Sequence, residues 1–97
     1  MREVVFTPMA IKAMVKLCDY VESKNTPGGG YRFQKKILDF IQSNAAISNL
    51  DFPLCHNTRL AHRNFSCLIF QRKWVIAFRY TELTFVIHRI ILGAKLK

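Results

Sequence analysis

The sequence predicts an α+β domain: an N-terminal strand, a helical hairpin, then an antiparallel three-stranded C-terminal meander, with the helices packed on one face of the sheet. Three observations carry this expectation. Two β-rich runs, Trp74 to Tyr80 and Thr84 to about Lys95, flank the short polar break Thr81-Glu82, which is the spacing of a hairpin. Before them come two stretches of helical period joined by Thr26-Pro27-Gly28-Gly29-Gly30. At 97 residues the chain is long enough for one core and too short for a second, so residues 1–97 read as a single domain.

Taken in order, Val4, Val5 and Phe6 form a short apolar run that suits a first strand. Thr7-Pro8 then supplies an N-cap followed by proline at the first helical position. From there to about Lys24, Ala10, Met14, Leu17 and Val21 share one stripe with Cys18 beside it, opposite Lys12, Lys16, Asp19 and Ser23. The triple glycine ends this helix; without a preceding strand or a following Gly-Lys-Ser/Thr it reads as a linker, not a phosphate cradle. A second helix is expected from about Tyr31 to Ser43, with Phe33, Ile37, Phe40 and Ile41 inward. Residues 44–63 show no sustained period, and Pro53 with His56-Asn57-Thr58-Arg59 reads as an irregular crossing. Residues 64–70 then form a strand, turned by Gln71-Arg72-Lys73 into the hairpin. In its first strand, alternation puts Trp74, Ile76, Phe78 and Tyr80 on one face and Val75, Ala77 and Arg79 on the other. In its second, Phe85, Ile87, Arg89 and Ile91 oppose Thr84, Val86, His88 and Ile90; each set carries one polar group, so alternation leaves open which is covered.

The composition excludes disorder: 51% of residues are hydrophobic and 12% aromatic. Charge interrupts the apolar runs too often for a membrane span of roughly 20 residues. The first residues carry no secretory signal pattern, and three cysteines, Cys18, Cys55 and Cys67, at no familiar spacing read as reduced thiols; both point to the cytoplasm. Cys55, His56, His62 and Cys67 match no zinc-ligand spacing, so no metal is expected. The formal charge of +9 is uneven, with seven Lys/Arg against five Asp/Glu in residues 1–51 and eight against one in residues 52–97. Such a half attracts polyanions or an acidic protein partner.

Strand, helical hairpin and three C-terminal strands in about a hundred basic residues resemble the RelE/ParE superfamily of toxins from type II toxin–antitoxin (plasmid stabilisation) modules. Residues 5–14, Val-Phe-Thr-Pro-Met-Ala-Ile-Lys-Ala-Met, resemble the family's opening strand and helix, and Asp19-Tyr20-Val21 with Phe33-Gln34-Lys35-Lys36-Ile37 resembles its helical hairpin. Trp74 to Arg79 is similar to the ParE-type strand hydrophobic-Ile-hydrophobic-Tyr-Arg, and residues 89–95 are similar to the ending Arg-Ile-Leu-His-Gly-Ala-Arg. The likeness spans nearly the whole chain. It departs where Leu92 replaces the ParE-type histidine and Phe78 the strand tyrosine. Where RNA-cleaving RelE-type members place an arginine, Val75 stands; their later tyrosine has no counterpart, and only Lys95 matches their C-terminal cation.

The resemblance implies a small acidic antitoxin as partner, no cofactor, no membrane and no small-molecule ligand. For function it implies growth inhibition by binding DNA gyrase, in the manner of the ParE branch. The alternatives are RelE-like, ribosome-dependent mRNA cleavage and a non-toxic relative acting as a basic RNA-binding module. The expected target-binding residues are Arg59, Arg63, Arg72, Lys73, Arg79, Arg89 and Lys95. No catalytic set stands out; the candidates for phosphate stabilisation and proton movement are His62, Arg79, His88 and Lys95. Arg79 and Arg89 interrupt apolar strands, and with Glu82 the single acid of the second half, at least one is expected to face a partner.

Overall fold

A computed structural model describes residues 2–24, 26–47 and 51–96, with Lys95 and Leu96 described by backbone alone. Strand β1 (Glu3–Phe6) leads into helices α1 (Pro8–Lys24) and α2 (Gly29–Ala45). A short helix α3 (Thr58–His62) then precedes strands β2 (Ser66–Phe70), β3 (Trp74–Tyr80) and β4 (Thr84–Leu92), and a 3₁₀ turn over Gly93–Leu96 follows. The three C-terminal strands form the expected antiparallel meander. The sheet as a whole is mixed, because β1 pairs parallel to β4 and the order is β1-β4-β3-β2. No helix among the described residues is long and apolar enough to cross a membrane.

The helical hairpin starts where Thr7 caps α1, its Oγ1 accepting the Ala10 N–H at 3.1 Å. Ala10, Met14 and Leu17 are buried, and Phe33, Ile37 and Ile41 of α2 meet them over the sheet. Helix α2 begins two residues earlier than its apolar period predicts. The Glu22 carboxylate reaches across from α1 and accepts the N–H groups of both Gly28 and Gly30 at 2.9 Å, so a tertiary cap holds two glycines in the helix. Gly28 takes the turn at φ 86°. At Gly30 a Cβ would stand 2.6 Å from the Cys18 carbonyl oxygen, so the helices cross too closely for any side chain there.

Under the helices, Phe78 and Phe85 stack with ring centroids 4.2 Å apart, and Phe52 meets both edge-on. Full burial of Phe78, Phe85, Ile76 and Ile87 contributes about 1.5–3 kcal/mol each. Arg2 is buried as well: its Nε donates to the Thr81 carbonyl at 2.8 Å and its guanidinium lies over the rings of Phe52 and Tyr80.

The alternation expected in β4 fails at one point. Between Ala77 and Phe78 the register shifts: Ala77 pairs with Arg89 and Phe78 with Ile87, leaving His88 as an extra residue. This β-bulge returns Ile90 to the core face and groups Arg89 with His88, reversing the expected faces beyond Ile87. In β3 the second face is not open either, since Val75 and Ala77 are buried and Arg79 alone is exposed.

The irregular crossing holds more structure than its sequence indicates. Asn57 caps α3, its Oδ1 accepting the Leu60 N–H at 3.2 Å. Leu60 and Phe65 bury against Ala77 on the sheet face opposite the helical hairpin, together with Cys55 and Cys67. A backbone bridge between Leu54 and Ser66 brings these cysteines to a Cα separation of 5.0 Å, where they form a disulfide. The expectation of three reduced thiols is therefore corrected. Twelve residues of separation gave no sign of proximity; the pairing of the segment ahead of β2 with β2 itself creates it. Cys18 remains a free thiol, and burial, aided by Asp19, raises its pKa.

Candidate polyanion site

The bulge brings Arg89 and His88 to a group of cations. Classical alternation would have sent Arg89 to the core. The extra residue turns it, with His88, toward the face that also carries Arg79. The loop after α3 closes the other side. The backbone oxygen of Arg63 accepts both Nε (3.1 Å) and Nη2 (2.6 Å) of Arg79, whose guanidinium lies 4.6 Å from the centre of the Phe65 ring. Phe65 also packs against the His88 imidazole, centroids 5.1 Å apart. Arg63, Phe65, Arg79, His88 and Arg89 thus line an open pocket of about 320 Å³, with Thr7, Pro8 and Met9 at its rim. The positive end of the α1 dipole lies at that rim and adds to the same potential.

The electrostatics are one-sided. No carboxylate lines the pocket, and neither Arg79 nor Arg89 has an acidic partner among the described residues. Arg79 instead satisfies one edge of its guanidinium on a backbone carbonyl. His88 is held below the usual imidazole range, first by burial and then by the positive charges of Arg79 and Arg89, so at neutral pH it is an uncharged acceptor or donor. Arginines aimed into a pocket beside a neutral imidazole suit an anion with several oxygens, such as a phosphodiester backbone.

The expected site residues do not all come together. Arg63, Arg79, His88 and Arg89 line the pocket. Arg59 and His62 are exposed on α3 and do not line it. Arg72 and Lys73 occupy the β2–β3 turn, about 20 Å along β3 from Arg79 at roughly 3.3 Å per residue. There the Lys73 ammonium sits 5.1 Å from the Trp74 ring and 5.9 Å from that of Tyr20. The side chain of Lys95 lies outside the described residues. Its 3₁₀ turn starts at Gly93, whose N–H donates to the Lys73 carbonyl, so this segment belongs to the Lys73 end of the sheet. Phe65, which orients both Arg79 and His88, carries no signal in sequence, because one phenylalanine at the edge of a strand run reads as core.

No protein-family model and no curated protein matches this chain.

Proposed function

We propose that the protein is a growth-inhibiting toxin of a type II toxin–antitoxin module, of RelE/ParE type, and that its pocket engages nucleic-acid phosphates on the target. The observation that carries this reading is the convergence of Arg63, Arg79 and Arg89, without a carboxylate, on one open pocket. The element order and the residue likenesses at 5–14, 74–79 and 89–95 support the family. An acidic, amphipathic antitoxin fits the same surface: it neutralises the excess charge and covers the exposed apolar residues Met9, Ile11 and Val15 of α1.

Two targets present phosphates to such a site. The first reading is DNA gyrase, the target in the ParE branch, engaged while it holds DNA. The second is mRNA on the ribosome, favoured by one observation: a neutral His88 between two arginines is placed to move a proton at a phosphodiester. Against it stands Val75, at the position where RNA-cleaving members place an arginine, since loss of one oriented donor costs about a hundredfold or more in rate.

Induced expression tests the reading. The wild-type chain should arrest growth and Arg89→Ala should relieve the arrest at equal protein level. Purified protein should then trap gyrase on DNA, seen as linearised plasmid; codon-dependent mRNA cleavage instead selects the second target. Undiminished growth under wild-type induction sinks the toxin reading.

A further inference from the structure

We propose that the Cys55–Cys67 disulfide is a redox-operated latch on the basic pocket: intact, it holds the 56–66 loop against Arg79 and His88; cleaved by a dithiol reductant, it lets the loop and its contacts go. This rests on the pocket being a polyanion site, and it adds a control to that site.

Three features place the latch. The disulfide ties the residue just before the α3 loop to the second residue of β2, so the bond encloses the whole segment bearing α3, Arg63 and Phe65. That segment makes every contact described above that orients Arg79: the Arg63 oxygen under its Nε and Nη2, and the Phe65 ring beneath its guanidinium. The segment has little regular structure of its own. Helix α3 has five residues, far fewer than a helix needs to persist alone. Its apolar anchor joins Leu60, Phe65 and Ala77 to Cys55 and Cys67, so two members of that small cluster are the bonded cysteines themselves. The segment is tied further by Cys55 N–H to the Phe65 oxygen at 2.9 Å, by the Leu54–Ser66 bridge, by the pairing of Ser66 with Phe78 and by the Phe65 ring on His88, all of which meet the loop at its disulfide end or at the pocket.

The chemistry balances with a dithiol. One thiolate of the reductant attacks Sγ of Cys67, the half-buried partner, while Cys55 is buried and leaves as thiolate. The second thiol of the reductant resolves the mixed disulfide. Two electrons and two protons pass to the protein, and the reductant ends as a disulfide. Preorganisation is lost with the bond, so the reduced pocket should bind phosphates more weakly.

The test uses the full chain, oxidised or reduced with a dithiol, and the Cys55→Ser/Cys67→Ser variant. Fluorescein-labelled single-stranded RNA and duplex DNA are the probes, and amide hydrogen exchange over residues 56–66 is the second readout. Reduction should weaken binding about tenfold, with the serine variant matching reduced protein under both conditions. Exchange should speed up at Leu60, Arg63 and Phe65 and stay slow in β3 and β4. Full exchange protection of the loop after verified reduction overturns the latch, whatever the probes do. If neither form binds either probe while loop protection is lost on reduction, the polyanion reading fails and the latch stands. Binding that ignores reduction despite a loosened loop also overturns it.

Discussion

Arg79 and Arg89 reach the same pocket by different routes, and the difference separates their expected mutant behaviour. Arg79 is fastened to the Arg63 carbonyl and the Phe65 ring, so Arg79→Ala should remove a pocket cation and loosen the loop as well. Arg89 makes no such contact with the loop among the described residues and owes its direction to the bulge. Arg89→Ala should therefore lower polyanion affinity about tenfold, the worth of one charge-assisted contact, while the melting temperature holds. A thermal melt beside a binding titration checks both halves. His88 gives the pocket a pH response. In the unfolded chain it protonates in the ordinary range, near its model-compound value of 6.5, whereas in the fold burial and two arginines resist the proton. Its contribution to stability is thus present above that range and lost as pH falls through it. A bound phosphate reverses the preference, since it favours imidazolium. Affinity should rise as pH falls through the imidazole range, and His88→Ala should flatten that rise.

Among the elements, the start of α2 and the α3 loop show where tertiary contacts overrule local signals. The boundaries of α1, the inward stripe of α2 and the hairpin β3–β4 were legible because apolar period and turn residues agree there. The bulge was not legible: alternation assumes an unbroken register, and one extra residue inverts every side chain beyond it. The disulfide was hidden for a similar reason, as it depends on pairing across a segment with no period. Gly30 likewise reads as a linker residue, though it sits in the closest approach of the two helices. Gly30→Ala should destabilise the fold by about 1–3 kcal/mol, because the obstructing atom is backbone oxygen and the helices must move apart. Denaturant unfolding measures this. The Glu22 cap adds an acid-sensitive element. Its hydrogen bonds from Gly30 and then Gly28, with Arg32 nearby, lower the carboxyl pKa, so the cap's contribution to stability is present above the ordinary carboxylate range and is lost as pH falls below it. Removing the Cys55–Cys67 crosslink should cost about 3 kcal/mol in the chain-entropy picture for a loop of this size.

At the scale of the whole molecule, the helical hairpin buries one sheet face, and the disulfide-bonded loop covers part of the other beside the basic pocket. The sequence-level charge asymmetry is real but coarse, since the pocket gathers Arg63, Arg79 and Arg89 while Arg72 and Lys73 stand at the far end of β3. Long-range attraction should involve all of them and the directed contacts only the first group. A salt titration of labelled single-stranded RNA binding separates the two contributions. For single strands the slope of log affinity against log salt changes by about 0.7 for each phosphate a cation neutralises. If the pocket is the working site, Arg63→Ala/Arg89→Ala should shallow that slope by about 1.4 and weaken binding at every salt concentration. An unchanged slope in this variant, with its fold intact by melting, would contradict the pocket as the site of polyanion engagement.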